Sequence, residues 1–495
     1  MDKSVKYWIL AIFIITLTLR LILAFSVPNL TYDSYYHIRQ VEHIRETGLP
    51  LFQDPLSYGG RENVFHPTFQ YVAAFFTLFL PIDIVAKVLP NIFLALLVPI
   101  VFLIGRKITN DPTSGLVAGL IAGFLPILYS TNSFVPATMF LPLMFLTIYA
   151  FMNVKDHFHL YLYLLCFIVL SFTTPATSLI LIGYVLYLIL SMIEGKRVNW
   201  AELELMIFSL FFFLWSQFLF YKDTLLKEGW GFVSQNVPQQ IIQRYFPQLS
   251  ITQSLVLVGI IPFVLGIFVV YQSLFQSKTS KAFLLISLAI STTLLSWLKL
   301  MEYTLSLSFF AVIIAILFAT SYQEIKNYLQ KTKFFRLKKK ATAILVILSI
   351  ITMIFPAIVH ALEQDTPTNE EIEAFKWLNT HAADKAKIAA SLKEGNLITY
   401  YSKRKNIMDR QFNLIKDVDE RFQNINSIFT TKFQTQAIDI FDAYGTTHIV
   451  LTPKTKEYYQ VEDLDYVKGK CFDLIYDQET KIYLVKCKIT KSKND

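Results

Sequence analysis

About eleven runs of roughly 17–25 predominantly apolar residues divide this chain, and a run of that length is long enough to cross the hydrocarbon core of a bilayer. They fall near residues 7–27, 89–105, 114–131, 137–152, 158–172, 176–193, 203–221, 253–274, 282–298, 303–319 and 341–361. A further apolar piece, 68–82, follows His66-Pro67 and is expected as a re-entrant or interfacial helix. Composition agrees: 54 % of residues are hydrophobic, 17 % are charged, and mean hydropathy is +0.46. A soluble domain carries about a quarter charged residues, so most of this chain belongs in lipid. The expected fold class is a polytopic α-helical membrane protein with about 11 to 13 transmembrane helices.

Orientation follows from the placement of cations. Lys3 and Lys6, Arg106 and Lys107, Lys196 and Arg197, Lys278 and Lys281, and the basic run Asn327 to Lys340 fall on alternate connections. Positive residues favour the cytoplasmic side. A cytoplasmic N-terminus then leaves residues 28–88, 222–252 and everything after His360 outside, in a multi-pass protein of the plasma membrane. The first apolar run is too long, and too poor in small residues at its end, for a signal peptide. The net charge of +8 is mostly this topological signal, and no nucleic-acid patch is visible in it.

At Glu363 the composition changes. Thr368 and Glu371 stand at capping-box spacing behind Pro367, and short helical and strand-like segments alternate from there to the end. The expected domains are therefore a transmembrane domain, 1–361, with outer loops 28–88 and 222–252, and an extracytoplasmic α/β domain, 362–495. Cys471 and Cys487 flank a hairpin that turns near Asp477 to Thr480 and lie equidistant from the turn. An outside location permits a disulfide, with two half-buried thiols as the alternative.

A transporter tends to place ionisable residues near the bilayer midplane. Here the apolar runs are almost free of charge, and polar residues gather in the outer loops and the C-terminal domain. That distribution favours chemistry on a lipid-borne substrate. The first loop is richest: LTYDSYYHIRQVEH, Leu30 to His43, reads as an amphipathic helix along the membrane surface. His37, Arg39 and Arg45 would meet lipid phosphates there, and Tyr32, Tyr35 and Tyr36 would join the aromatic belt. Asp54-Pro55, Tyr58-Gly59-Gly60 and Phe65-His66-Pro67 follow. A carboxylate such as Asp33 can hold a divalent metal, act as a general base, or be a solvated interfacial charge. His43 and His66 lack the spacing of a metal pair, and no P-loop, Rossmann glycine pattern or zinc spacing is present.

An apolar first helix, an Asp leading into Tyr-Tyr-His-Ile-Arg, Asp54-Pro55 and a His-Pro before the next helix together resemble the GT-C membrane glycosyltransferases. More narrowly, they resemble the catalytic subunit of archaeal and eukaryotic oligosaccharyltransferase, over nearly the whole chain. The resemblance implies transfer of a glycan from a polyprenyl (dolichyl) phosphate carrier to an acceptor at the outer membrane face, either a protein asparagine or another acceptor. It implies Asp33 as the catalytic and metal-associated carboxylate, Asp54 as a second metal ligand, and Mg²⁺ or Mn²⁺ as the ion. His37, Arg39 and Lys299 would meet the donor phosphate. Partners would be the lipid-linked sugar, membrane lipid and a protein acceptor.

The departures from that pattern are as specific. Ser391-Leu392-Lys393-Glu394-Gly395 stands where relatives carry Trp-Trp-Asp-Tyr-Gly, which assigns acceptor contacts to Lys393 and Glu394; Asn406-Ile407-Met408-Asp409 keeps the downstream register. The second outer loop, Ser133 to Met139, has no carboxylate. Gln235 occupies the place of an acceptor-gripping glutamate, and an amide cannot supply a carboxylate. The alternative to an enzyme is a non-catalytic paralogue that binds lipid-linked glycans or partners an active transferase.

Overall fold

The structure, a computed structural model, describes residues 3–196, 198–229, 249–277, 280–332 and 335–488. Gln235, Arg197 and Lys278 lie outside the described residues. The chain divides into two compact units: Met1–Pro28, His66–Tyr221 and Gln248–Gln364 form one, and Asn29–Phe65, Lys222–Pro247 and Asp365–Asp495 the other.

The first unit is helical. Among the described residues, six helices are long and apolar enough to cross a membrane: Lys3–Ser26, Ile82–Thr109, Pro175–Ile193, Trp200–Lys227, Tyr303–Lys331 and Phe335–Leu362. Ile251–Val258 and Ile260–Gln276 meet at a bend of 90° and together pass the same test. The bend falls at Gly259, whose φ of +92° lies in the left-handed region that favours glycine. Four shorter apolar helices, Pro112–Gly123, Ala137–Phe151, His157–Ser171 and Ala282–Trp297, fill the remaining expected runs. Thr68–Thr77 spans only 10 residues, too few to cross. Tyr303–Lys331 is largely buried and stacks Phe309 on Phe145, whereas Lys3–Ser26 is mostly exposed. Its one buried cation, Arg20, donates to Asn91 Oδ1 and to the carbonyl of Leu128, which leaves that charge hydrogen-bonded inside an apolar unit. The protein is a multi-pass membrane protein.

The second unit is α/β. Five strands, β3 (Lys387–Ala389), β4 (Lys405–Asn406), β5 (His448–Leu451), β6 (Phe472–Asp477) and β7 (Lys481–Val485), form a sheet in the order β4-β3-β5-β7-β6. β3 runs parallel to β4 and β5, and β7 runs antiparallel to β5 and β6. The central strand β5 is buried along its whole length, as an all-apolar run after His448 requires. The hairpin β6–β7 is closed by a disulfide between Cys471 and Cys487. Thr368 and Glu371 form the capping box that starts the helix Asn369–His381.

The first outer loop departs from its expected place. Asn29–Phe65 packs as part of this unit, with a two-stranded hairpin of β1 (Gln53–Asp54) and β2 (Arg61–Glu62). Tyr58 enters the core beside Ala389, Ile407, Met408 and Phe422.

Candidate functional site

The helix Tyr32–Thr47 carries most of the candidate residues. It starts after Thr31, whose backbone is extended, and stops at Gly48, where φ is +78°. Asp33 stands in its first turn, where the helix N-terminus favours negative charge. The sequence suggested a helix lying on the membrane with its tyrosines toward lipid headgroups. Instead Tyr32, Tyr35 and Tyr36 are buried within the unit. Tyr32 donates to Glu371 Oε2 at 2.7 Å, Tyr36 accepts from Asn63 Nδ2, and Tyr35 packs against Tyr400 and Tyr401. The amphipathic pattern serves a protein surface here: the partners of Tyr32 and Tyr35 lie more than 300 residues along the chain, and Asn63 of the same loop covers Tyr36.

The central finding concerns Asp33. Arg410 donates from Nη1 to Asp33 Oδ2 at 2.6 Å, and Asp33 Oδ1 is buried with no hydrogen-bond partner among the described residues. Burial pushes the Asp33 carboxyl above the usual range; the Arg410 charge opposes this and the nearby Asp365 reinforces it. The direct partner of Asp33 is thus an arginine from the C-terminal region.

The loop that presents Arg410 is fixed on several sides. Asp409 accepts from Ser57 Oγ at 2.7 Å, from Asn406 Nδ2 and from the Gln411 amide, while Tyr58 donates its hydroxyl to the Asp409 carbonyl. Asn406 also donates to the Gly395 carbonyl and accepts from the Tyr58 amide. Tyr58 itself holds φ +55°, a conformation unfavourable for a bulky residue and sustained by these bonds. Gly395 is required: a Cβ there would lie 2.2 Å from the Met408 carbonyl oxygen and 2.6 Å from Asp409 Cβ. Thus the Ser391–Gly395 and Asn406–Asp409 segments do meet, and their junction positions Arg410. Sequence reasoning stopped one residue short of it.

Other candidates take different roles. Arg39 grips Asp54 with two hydrogen bonds, 2.8 and 2.7 Å, and Asp54 Oδ1 also accepts from the amides of Leu56 and Ser57. Burial alone would raise the Asp54 carboxyl, but those bonds and the Arg39 charge outweigh it and hold it below its ordinary value. Arg39 is therefore a structural partner, and Asp54 has both oxygens engaged. His37 was expected as a cation; burial pushes its pKa down to about 3, so it is neutral at pH 7. Lys393 pairs with Asp365 at 2.7 Å, a carboxylate it shares with Lys454. Glu394 is fully buried and accepts from Thr455 Oγ1, Thr452 Oγ1 and the Ser391 amide. Lys299 lies in the first unit, exposed, with φ +57°. Glu302 is exposed there too.

A divalent metal was implied at Asp33 and Asp54. Among the described residues no three His, Cys, Asp or Glu side chains gather as a metal-binding group. Asp54 is saturated by Arg39 and backbone amides, and Asp33 offers a single oxygen beside a guanidinium. The described residues do not fit a Mg²⁺ or Mn²⁺ centre.

No protein-family model and no curated protein matches the chain. Solved structures do, and the likeness is one of fold: the chain has a GT-C fold. In particular, the chain is similar to the Archaeoglobus fulgidus oligosaccharyltransferase AglB in complex with an inhibitory peptide and a dolichol-phosphate, with TM-score 0.67 and 12 % identity over 91 % of this chain and 70 % of that one. It is also similar to ArnT from Cupriavidus metallidurans bound to undecaprenyl phosphate, with TM-score 0.58 and 10 % identity over 98 % and 99 %. Another structure of the Archaeoglobus enzyme, at TM-score 0.65 and 12 % identity over 95 % and 73 %, is a complex with Zn and sulfate.

Proposed function

We propose that this chain transfers a glycosyl group from a polyprenyl (dolichyl) phosphate carrier to an acceptor at the outer face of the membrane, with Asp33 as the general base. The observation that carries the reading is the state of Asp33: one oxygen held by Arg410, the other buried and without a partner among the described residues. A raised carboxyl with an unpartnered oxygen is suited to take a proton. In the step, an acceptor nucleophile bonds to the anomeric carbon as its proton passes to Asp33 Oδ1. The bond from that carbon to the carrier's phosphate oxygen breaks, and the electron pair leaves with the lipid phosphate.

Both kinds of solved neighbour, one with dolichol-phosphate and one with undecaprenyl phosphate, support a lipid-phosphate donor. The acceptor is a protein side chain or another membrane-borne hydroxyl or amine; Gln235 in place of a glutamate and the loss of both motif tryptophans favour the second. The N-terminus is cytoplasmic and the C-terminal region extracytoplasmic, in the plasma membrane. A non-catalytic glycan-binding paralogue is the second reading, favoured by the neutralising contact of Arg410 on Asp33.

The test mixes the purified chain with the host's lipid-linked glycans and either a sequon peptide or total membrane lipid, using Asp33→Asn as control. Transfer should fall at least ~100-fold in Asp33→Asn, the usual range for loss of a general base. Equal activity in wild type and variant rules out Asp33 as the base, and binding of glycan without transfer establishes the second reading.

A further inference from the structure

We propose that Arg410 takes the place of a divalent metal: its guanidinium is the resident cation beside Asp33, and it meets the anionic phosphate of the donor. The inference rests on the reading of a lipid-phosphate donor and goes beyond it by assigning the group that offsets the phosphate charge.

The argument begins with Asp33 itself. Arg410 Nη1 sits 2.6 Å from Oδ2, within the contact range of a strong charge-assisted hydrogen bond. A dication coordinated through the same carboxylate would lie a few ångströms from that guanidinium, two like charges at one partly buried site. Asp54, the remaining ligand candidate in this loop, is held by Arg39 on both oxygens and by two backbone amides. Within the sequence 230–248, where the family pattern places an acidic residue, there is no Asp, Glu, His or Cys. The second outer loop, Ser133 to Met139, has none either. Of the carboxylates near Asp33, Asp365 is paired with Lys393 and Lys454, and Asp409 accepts from Ser57, Asn406 and Gln411; no group of three metal ligands forms among the described residues, and a cation is already in position.

Arginine suits the substitution chemically. Its planar fork matches phosphate geometry and stays charged at any physiological pH. It is also held in place. The Asp409 bonds to Ser57, Asn406 and Gln411, together with the close approach of Gly395, leave the residue before Arg410 little freedom. A backbone held in this way presents the Arg410 side chain from a fixed point, which lowers the ordering cost of gripping a phosphate.

The experiment has two arms. The purified full chain in detergent is titrated with Mn²⁺ alone, and free Mn²⁺ is read from its electron paramagnetic resonance signal. Separately, binding of a short polyprenyl phosphate in micelles is measured with and without EDTA. We expect no stoichiometric Mn²⁺ uptake by the wild type, polyprenyl phosphate binding that EDTA leaves unchanged, and weakening of about tenfold or more in Arg410→Gln, as for loss of a charged hydrogen bond. Arg410→Lys, which keeps a cation on Asp33, should retain part of the affinity and serves if Arg410→Gln does not fold. One equivalent of Mn²⁺ bound by the wild type and lost in Asp33→Asn overturns the proposal, as does phosphate binding that EDTA abolishes. A wild type that binds no polyprenyl phosphate under either condition refutes the donor reading instead, while the Mn²⁺ arm still decides the metal question.

Discussion

Glu394 is the residue whose environment departs most from what its type leads one to expect. Its carboxyl is fully buried, and burial, reinforced by the charge of Glu371, pushes its pKa up to about 7. A carboxyl raised in the folded state gives stability that is complete below its ordinary value of 4.5 and is lost as pH rises through about 7. The difference amounts to about 3 kcal/mol at most. Thermal melting of the purified protein between pH 4 and 8 should show stability falling over that window, and Glu394→Gln should flatten the fall while leaving low-pH stability nearly unchanged. An identical pH profile in the variant would remove Glu394 as its source. From sequence this residue read as an acceptor contact, because a glutamate beside Gly395 matches a motif register. Nothing local announces the threonines at 452 and 455 that enclose it.

Among the elements, the junction between Ser391–Gly395 and Asn406–Arg410 does most to position the site. Alanine at Gly395 would have to displace the Met408 carbonyl, which Asn406, Ser57 and Tyr58 help hold through Asp409. Gly395→Ala should cost about 1–3 kcal/mol, the usual range for overpacking, and should loosen Arg410 from Asp33. The check is polyprenyl phosphate binding alongside a melting curve: a variant that melts lower yet binds the lipid as tightly as wild type would separate the junction from the site. Elements defined by short-range pattern were legible in the sequence: the apolar runs, the Thr368–Glu371 capping box, and the hairpin between Cys471 and Cys487. The helix Tyr32–Thr47 was legible as a helix but not in its surroundings. An apolar stripe looks the same whether lipid or protein covers it, and here the covering groups include Tyr400, Tyr401 and Glu371. Arg410 carried no signal, since a lone cation in a loop has no periodicity and its partner lies 377 residues away.

For the molecule as a whole, the second unit is discontinuous in sequence. Asn29–Phe65 supplies Tyr58 to its core and Asp33 to its site. The segment 365–495 alone would keep the sheet but lose Tyr58, the Ser57 bond to Asp409 and the partner of Arg410. Expressed by itself it should lack a cooperative melting transition, and fusion of 29–65 through a flexible linker should restore one, read by circular dichroism and hydrogen exchange. A fragment 365–495 that melts as sharply as the fusion would contradict this. The lipid-spanning part and the composition change at Glu363 that opens the C-terminal α/β region are legible in the sequence. The recruitment of the first loop depends on contacts between residues that no window of sequence holds together.

That recruitment also sets a clock. The Asp33–Arg410 pair joins the first loop to a residue made 377 positions later. During synthesis the loop must therefore wait, with Tyr32, Tyr35 and Asp33 lacking their final partners, while nearly all the membrane helices are made. Closing so long a span is slow, and the waiting loop is a ready target for chaperones and proteases. A chain truncated before Arg410 cannot complete the pair, so the Asp33–Arg410 contact forms only after the C-terminal region has been made.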